Sequence, residues 1–205
     1  MKKMAAVLGL LLSANCAADV TDGTKYNLSG PVSGFLTGHE GACYVAITTS
    51  SSYYSDGYHT VDDPRMCALA RAIYLLRGDI RAIAEVRYGA DTNRVTDFEA
   101  TSGGTPYWPP YHTADNADHY ALIGPVNGYL LVAGNKSCYV SIEGNAPLSN
   151  GYHEVEDGAH CVMLLGAYLL GLTVSVSAQK GPKINLLTSV EMSESPKVHW
   201  PPYNH

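Results

Sequence analysis

Residues 57–78 have the sequence GYHTVDDPRMCALARAIYLLRG, and residues 151–171 repeat it as GYHEVEDGAHCVMLLGAYLLG. Each copy contains a Gly-Tyr-His step, an acidic pair, a cysteine nine positions after the tyrosine, and an apolar segment that ends in Tyr-Leu-Leu. An acidic cap followed by apolar residues at helical spacing predicts a helix. The chain therefore contains the same helical unit twice.

The repetition extends over most of the chain. Three further motifs recur at offsets of 92 to 95 residues: GPV at 30 and 124, CYV at 43 and 138, and WPPY at 108 and 200. A period of about 90 residues is too long for a solenoid unit and fits two small globular domains. We expect a signal peptide over residues 1–18, a first repeat over 19–112 and a second over 113–205.

The amino terminus predicts export. Lys2 and Lys3 precede an uncharged apolar run and small residues around Cys16, which is the layout of a bacterial secretory signal peptide. We expect a secreted or periplasmic protein, with lipidation at Cys16 as an alternative. The apolar run is too short to span a membrane, and no later stretch approaches the roughly 20 apolar residues that a span requires.

The charge balance argues against nucleic acid as a partner. Without Lys2 and Lys3 the chain has 11 basic and 19 acidic side chains, a formal charge of −8. Binding to phosphates requires a basic surface, so neither nucleic acid nor an anionic membrane is expected to bind. The chain has 15 Tyr against 2 Phe and 2 Trp, which favours exposed recognition surfaces but also suits ordinary sheet faces.

Four cysteines remain when Cys16 is set aside, two in each repeat at matching positions. Export favours disulfide bonds, and four buried free thiols are the alternative. Of the three ways to pair four cysteines, duplication favours Cys43 with Cys67 and Cys138 with Cys161, since a single ancestral domain had to close its own bond. Each bond would stabilise the fold by roughly 3 kcal/mol on the chain-entropy estimate.

Strand patterns flank the helix in each repeat. In the first repeat we expect a bent strand around residues 28–36, strands over 43–49, 79–88 and 94–100, a Gly-Tyr-His turn, and a helix capped by the Asp62-Asp63-Pro64 step and stopped by Gly78. One helix between two groups of strands in under 100 residues predicts a mostly β unit, a small barrel of the oligonucleotide/oligosaccharide-binding (OB) type. A plain α+β sandwich is the alternative.

The second repeat has two distinctive features. Its helix, predicted over residues 161–170, has no charged residue and is expected to be buried on more sides than the first. It would pack against the first domain or a partner subunit, and a short helix covered by its own sheet is the alternative. Strands are expected over 172–178 and 184–190. The link at 111–119 is short and polar, so we predict that the two repeats contact each other directly.

No sequence motif indicates an enzyme. GxSxG, HExxH and Walker-type patterns are absent from the sequence, and we expect neither catalysis nor a cofactor. Two sets of side chains have donors for a weak divalent metal site without a diagnostic spacing: His59 with Asp62 and Asp63, and His153 with Glu156 and Asp157. A small metal-assisted hydrolase is therefore an alternative, while the expected role of these residues is to form a turn and a helix cap.

Both tryptophans, Trp108 and Trp200, lie in the repeated WPPY motif. Two prolines hold such a segment extended, so its aromatic residue loses little entropy when it binds the flat face of a sugar. The alternative is that each tryptophan covers the open end of its own barrel.

These motifs together resemble the B subunits of pentameric glycan-binding toxins, of the subtilase cytotoxin and pertussis-like type. The similarity lies in LSGPV at 28–32, CYV at 43–45 and AIYLL at 72–76 before Gly78, and it extends over roughly residues 26–110 and 120–203. The resemblance implies exported, disulfide-bonded OB-type barrels that recognise cell-surface glycans or glycoproteins. It also implies two other candidate partners, an exported catalytic subunit and further copies of the chain.

The resemblance implies a role for Ser29, because a serine at the start of the first strand holds the sialic acid carboxylate in that family. Ile123 takes this place in the second repeat, and Glu85 stands where the family has a glycan-contacting tyrosine. The candidate glycan-binding residues are Ser29, Glu85, Tyr53, Tyr54, Trp108, Tyr111, Trp200 and Tyr203. An envelope structural or inhibitory protein that binds another protein through the second repeat is the alternative function.

Overall fold

The structure, a computed structural model, describes residues 21–38, 42–49, 57–102, 118–144 and 151–192. The predicted signal peptide, Tyr53, Tyr54 and both WPPY motifs lie outside the described residues. The described elements are, in chain order, β1 (Lys25–Thr37), β2 (Cys43–Ile47), β3 (Tyr58–Val61), α1 (Pro64–Leu76), β4 (Asp79–Glu85), β5 (Arg94–Thr101), β6 (His119–Val132), β7 (Cys138–Ile142), β8 (Gly151–Val155), α2 (Gly158–Leu170), β9 (Thr173–Gln179) and β10 (Leu186–Glu191).

The prediction of a mostly β chain with one helix in each half is confirmed. The strands form one mixed sheet in the order β3-β2-β1-β4-β5-β6-β7-β8-β10-β9. Further pairings close each half. In the first half β3 pairs parallel with β5, and in the second half β8 pairs parallel with β10 and β6 pairs antiparallel with β9. The pairings of β1 to β5 therefore form one closed ring, and those of β6 to β10 form a second.

The first strand of each half bends where it changes partners. β1 pairs with β4 through residues 25–31 and with β2 from Val32 onward, with a register shift between Val32 and Gly34. A Cβ atom on Gly30 would lie 2.1 Å from the carbonyl oxygen of Thr48, and one on Gly124 in β6 would lie 2.1 Å from that of Glu143. The two glycines permit this close approach of neighbouring backbones.

The predicted helix caps are confirmed. The Asp63 carboxylate accepts a hydrogen bond from the Arg65 backbone N–H at 2.9 Å, and Pro64 occupies the first turn. The Asp157 carboxylate accepts bonds from the backbone N–H groups of Ala159 at 2.7 Å and His160 at 3.0 Å. These oxygens satisfy backbone donors that have no partner within the helix.

The end of the first helix differs from its prediction. Arg77, rather than Gly78, adopts the left-handed conformation that ends α1, with φ of 55°. The same position in the second half is Gly171, with φ of 64°. The repeated pattern of apolar residues does not indicate which of the two residues after Leu76 adopts the left-handed conformation.

Two further predictions are wrong. The Gly-Tyr-His step is not a turn, since Tyr58 and His59 lie in β3 and their counterparts Tyr152 and His153 lie in β8. The second helix is not buried on more sides, because Val162 and Leu170 are 72% and 73% exposed. Its buried residues are Cys161, Leu164 and Ala167. An uncharged helix can thus pack along one narrow face and leave apolar side chains in solvent.

Both predicted disulfide bonds are confirmed. Cys43 in β2 is bonded to Cys67 in α1, and Cys138 in β7 is bonded to Cys161 in α2. Each bond fixes a helix to the sheet of its own half, and all four cysteines are buried in a hydrophobic cluster that runs through both halves. Among the described helices, none is long and apolar enough to cross a membrane.

The two halves contact each other directly, as the short link predicts. β5 pairs antiparallel with β6, from Asp97 opposite Val132 to Thr101 opposite Gly128. The Arg65 guanidinium in α1 also donates to the carbonyl oxygens of Asn135 and Lys136 after β6. We call this contact between the halves the internal joint.

The end of α1 gives a stability prediction. Arg77→Gly should raise the free energy of unfolding by about 1 kcal/mol, because a left-handed conformation costs roughly this much for a residue with a Cβ atom. Arg71→Gly, the same change inside the helix, should lower it by about 1 kcal/mol. Urea unfolding measures both changes. Equal destabilisation of the two variants would contradict the assignment of Arg77 as the helix end.

Candidate functional site

The internal joint makes one continuous outer face from strands of both halves. Directly opposite residues on neighbouring strands share a face of the sheet. One such row crosses six strands and consists of Ser29, Arg81, Glu99, Leu130, Tyr139 and Glu154. A second row beside it consists of Asn27, Ile83, Asp97 and Val132.

These rows line a groove of about 790 Å³, which Lys183 and Ile184 complete from the segment before β10. We call it the inter-repeat groove, because the first half contributes β1, β4 and β5 and the second half contributes β6, β7 and β8. Its volume lies within the usual range of small-molecule sites. Neither half alone contains this groove.

The inter-repeat groove combines an apolar floor with charged and hydroxyl groups. Ile83, Leu130 and Val132 supply the apolar surface, while Ser29 and Asn27 are exposed polar residues of the lining. The charged residues are two cations, Arg81 and Lys183, and three carboxylates, Asp97, Glu99 and Glu154. Such a surface suits a neutral ligand that has many hydroxyl groups and one apolar face.

Glu99 is held in the groove by side chains from both halves. The buried Tyr152 hydroxyl of β8 donates a 2.5 Å hydrogen bond to Glu99 Oε1, while Arg81 Nη1 lies 4.0 Å from Glu99 Oε2. Burial and the bond to this carboxylate raise the pKa of Tyr152 above its ordinary value. Tyr152 therefore stays a neutral donor and fixes the carboxylate in one orientation.

Tyr139 is the aromatic residue of the groove. Its hydroxyl accepts a 2.7 Å hydrogen bond from Asn135 Nδ2, and burial and the nearby Glu154 carboxylate raise its pKa. Asn135 thus restrains the ring in a half-buried position beside Leu130. An aromatic ring fixed next to hydrogen-bonding groups is a suitable surface for the C–H face of a sugar.

A more polar cavity of about 710 Å³ adjoins the groove and shares Asp97 and Val132 with it. Four of its charged side chains form ion pairs: Arg65 pairs with Asp63 at 2.7 Å, and Arg94 lies 3.9 Å from Asp62 and also bonds to Glu85 outside the cavity. Within the described part of the chain, no group of three His, Cys, Asp or Glu side chains is arranged to hold a metal ion.

The histidines of the Gly-Tyr-His steps form buried polar triads that the sequence did not reveal. Tyr120 Oη lies 2.6 Å from His153 Nε2, and Asn185 Nδ2 donates to Tyr120 Oη at 2.7 Å. The first half repeats this arrangement with Tyr26, His59 and Asn93, at 2.7 and 2.8 Å. Each triad joins the first and third strands of its half to the residue just before the last strand.

The second triad fixes the tautomer of its histidine. His153 Nδ1 lies 2.9 Å from the carbonyl oxygen of Gly151, which can only accept, so Nδ1 carries the proton. Nε2 then accepts from the Tyr120 hydroxyl. Burial lowers the pKa of His153 to about 4 and outweighs its hydrogen bonds to backbone, so the ring is neutral at pH 7.

Two of the predicted glycan-binding residues, Ser29 and Glu85, lie in the described part of the chain, and the structure places them apart. Ser29 is exposed in the inter-repeat groove, opposite Arg81. Glu85 lies four positions further along β4, opposite Lys25 and paired with Arg94. The other candidates, Tyr53, Tyr54, Trp108, Tyr111, Trp200 and Tyr203, lie outside the described residues.

The sequence reading missed most of the groove. Alternation in β4 does place Arg81 and Ile83 on the outer face of their strand. Nothing in the sequence showed that Glu99 of one half and Leu130, Tyr139 and Glu154 of the other would continue that row, because it depends on the β5–β6 pairing.

No known family, curated protein or solved structure matches the chain. The interpretation of the inter-repeat groove therefore rests on its own residues. The inter-repeat groove combines apolar side chains, a fixed carboxylate and exposed hydrogen-bonding groups.

The buried His153 gives a pH prediction. Its folded pKa of about 4 lies below the ordinary 6.5, so the unfolded chain binds the proton more tightly. The neutral ring therefore contributes about 3 kcal/mol to the free energy of unfolding above pH 6.5. This contribution is lost as the pH falls toward 4. Urea unfolding between pH 7 and 4 should show this loss in the wild type and in His160→Gln, but less of it in His153→Gln.

An NMR titration of the His153 ring in the wild-type protein checks the same assignment without a variant. A midpoint near 6.5 would contradict the buried neutral state.

Proposed function

We propose that this chain is an exported, non-enzymatic carbohydrate-binding protein that resembles toxin B subunits and holds a cell-surface glycan in the inter-repeat groove. The observation that carries the proposal is the row from Ser29 to Glu154, which places hydrogen-bonding groups of both halves around an apolar floor. Two disulfide bonds are consistent with export to an oxidising compartment.

The strand pairings support two tandem OB-type barrels as the architecture. In each half, the five described strands pair in a closed ring, and the described helix lies between the third and fourth of them. That order is the one known for OB-type barrels, whose outer faces bind oligosaccharides and oligonucleotides. The acidic composition favours the first of these ligands.

The chemistry of a glycan matches the groove at three points. Carboxylates such as Glu99 and Asp97 accept hydrogen bonds from sugar hydroxyls, while Arg81 and Lys183 donate to ring and hydroxyl oxygens. Leu130 and the Tyr139 ring offer apolar surface to the C–H face of a sugar. Because Tyr152 already orients Glu99, this acceptor loses little freedom on binding.

Glycan binding by the groove can be tested directly. The purified mature protein should bind members of a glycan array at neutral pH, and Ser29→Ala and Arg81→Ala should each weaken that binding about tenfold, which corresponds to one lost hydrogen bond to a polar or charged group. Ser177→Ala, an exposed serine of β9 outside the groove, is the matched control and should bind like the wild type.

Two outcomes would reject the proposal. One is an array without any bound glycan together with unchanged cell adhesion of Ser29→Ala. The other is glycan binding that Ser29→Ala and Arg81→Ala leave intact, since the glycan would then bind elsewhere on the protein.

A second candidate function is an envelope structural or inhibitory protein that binds another protein through α2. The exposed Val162 and Leu170, followed by Leu172 at 41% exposure, give this uncharged helix an apolar outer surface. The corresponding helix α1 also exposes Leu75 and Leu76, but Arg71 lies on it and Arg77 directly follows it. Exposed apolar surface of this kind is typical of contacts with other proteins.

The α2 alternative makes a separate prediction. If the protein acts through this helix, Val162→Lys with Leu170→Lys should abolish stoichiometric co-purification of a partner from envelope extracts, because burial of a lysine in an apolar contact is costly. Leu75→Lys on α1, which is 71% exposed, is the matched control. Loss of the partner in both variants would show that the effect is not specific to α2.

A further inference from the structure

Equivalent tyrosines of the two halves differ sharply in burial. Tyr152 of β8 is fully buried, with 0% exposure, and its hydroxyl donates to Glu99 across the internal joint. Tyr58, which occupies the same position in β3, is 48% exposed. At the joint the Tyr152 hydroxyl contacts β5 of the other half, whereas nearly half of the Tyr58 surface is exposed.

The two strand edges that form the internal joint each have a counterpart at the other end of the chain. β10 corresponds to β5, and its register with β9 matches that of β5 with β4, including the shift at Thr188 and at Thr96. Both threonine hydroxyls donate to a carbonyl oxygen of the neighbouring strand at 3.2 Å, that of Ser177 or of Ile83.

β1 corresponds in the same way to β6. Residues 34–37 pair with β2 as residues 128–130 pair with β7, with a register shift just before Gly34 and just before Gly128. In β6 the opposite edge of this stretch pairs with β5. Within the described residues, no strand pairs with that edge of Phe35, Leu36 and Thr37.

The edge of β10 is open in the same sense. Val190 and Glu191 pair with β9 on one side, and the parallel pairing with β8 is confined to Leu186. Among the described strands, none lies on the second side of Val190 and Glu191. An open edge presents backbone donors and acceptors that can pair with another chain.

Apolar side chains mark both open edges. Leu36 is 53% exposed and Met192 is 40% exposed. Their counterparts in the internal joint are Leu130, which is half-buried, and Ala100, which is fully buried. Exposure at these two places is the result expected if a surface built for a strand contact has no partner within one chain.

We propose that copies of this chain associate head to tail, with residues 189–192 at the end of β10 of one copy pairing antiparallel with residues 35–38 at the end of β1 in the next. The register of the internal joint places Ser189 opposite Gly38, Val190 opposite Thr37, Glu191 opposite Leu36, and Met192 opposite Phe35. The proposal concerns a surface separate from the inter-repeat groove and does not depend on glycan binding.

The same pairing gives Tyr58 a partner. Glu191 corresponds to Glu99, so the Tyr58 hydroxyl of one copy donates to Glu191 of the neighbouring copy, as Tyr152 does to Glu99. Tyr58 is already placed for this bond, since a Cβ atom on Gly34 would lie 2.8 Å from its hydroxyl oxygen. The phenol therefore lies across β1, at the open edge.

One part of the internal joint is not reproduced between copies. Arg65, which bonds to Asn135 and Lys136 in the internal joint, corresponds to Ala159 in α2. The contact between copies is therefore weaker than the internal joint and depends on protein concentration. Because it joins different surfaces of the two copies, it produces a closed ring or an open filament rather than a two-fold dimer.

Cysteine variants test the orientation of the contact. Directly opposite residues of paired strands have Cα atoms about 4.5 to 5.5 Å apart, which a disulfide can bridge. Mixing mature Leu36→Cys with Glu191→Cys under mild oxidation should give a covalent dimer, with the bond located between residues 36 and 191 by mass spectrometry. Either variant alone should give none, and Leu36→Cys mixed with Ser177→Cys should give none.

Native mass measurements test the contact without a covalent bond. Light scattering after gel filtration at about 100 µM should show a mass above one chain for the wild type. Leu36→Lys should shift it to the monomer, and Tyr58→Phe should weaken association about tenfold, whereas the equally apolar but distant Leu75→Lys should leave it unchanged. Circular dichroism of each variant confirms that the fold is retained.

Three outcomes would overturn the proposal. They are a wild type that stays monomeric at this concentration, an oligomer that Leu36→Lys leaves intact, and a covalent dimer that forms equally well from either cysteine variant alone. The last result would indicate a two-fold contact or a partner surface other than the two strand edges.

Discussion

The antiparallel pairing of β5 with β6 is the interaction on which the rest of the structure depends. It joins two closed sets of strands into one sheet and allows a hydrophobic cluster to run through both halves. It also places Tyr152 of the second half against Glu99 of the first. Without this pairing there is no inter-repeat groove, because each half supplies only part of the row that lines it.

The two halves share one framework and differ in their surfaces. The framework includes the disulfide, the acidic helix cap and the buried Tyr-His-Asn triad, which recur with nearly equal distances. The side chains differ at surface positions outside this framework. Examples are Ser29 against Ile123, Arg81 against Ser175 and Arg65 against Ala159. Binding functions are therefore to be sought at these unequal positions, while equal positions hold the fold.

The sequence predicts those features whose cause is local or is repeated in the chain. Asp63 and Asp157 are caps because a carboxylate satisfies the backbone N–H groups of the next turn. The sequence does not predict features that depend on contacts between neighbouring strands of the sheet. The Gly-Tyr-His steps predict turns at His59 and His153, yet each histidine is buried in a strand and hydrogen-bonded to a tyrosine from the first strand of its half.

The sequence by itself determined the repeated unit, the pairing of its cysteines, the mostly β class and the position of Ser29 near the start of the first strand. All of these follow from residue spacing along one chain or from comparison of its two copies. Only the tertiary structure decided which side chains accompany Ser29 and which tyrosine is covered. The reason is that strand pairing brings together residues such as Ser29 and Glu154, more than 100 positions apart, and no local pattern encodes which edges meet.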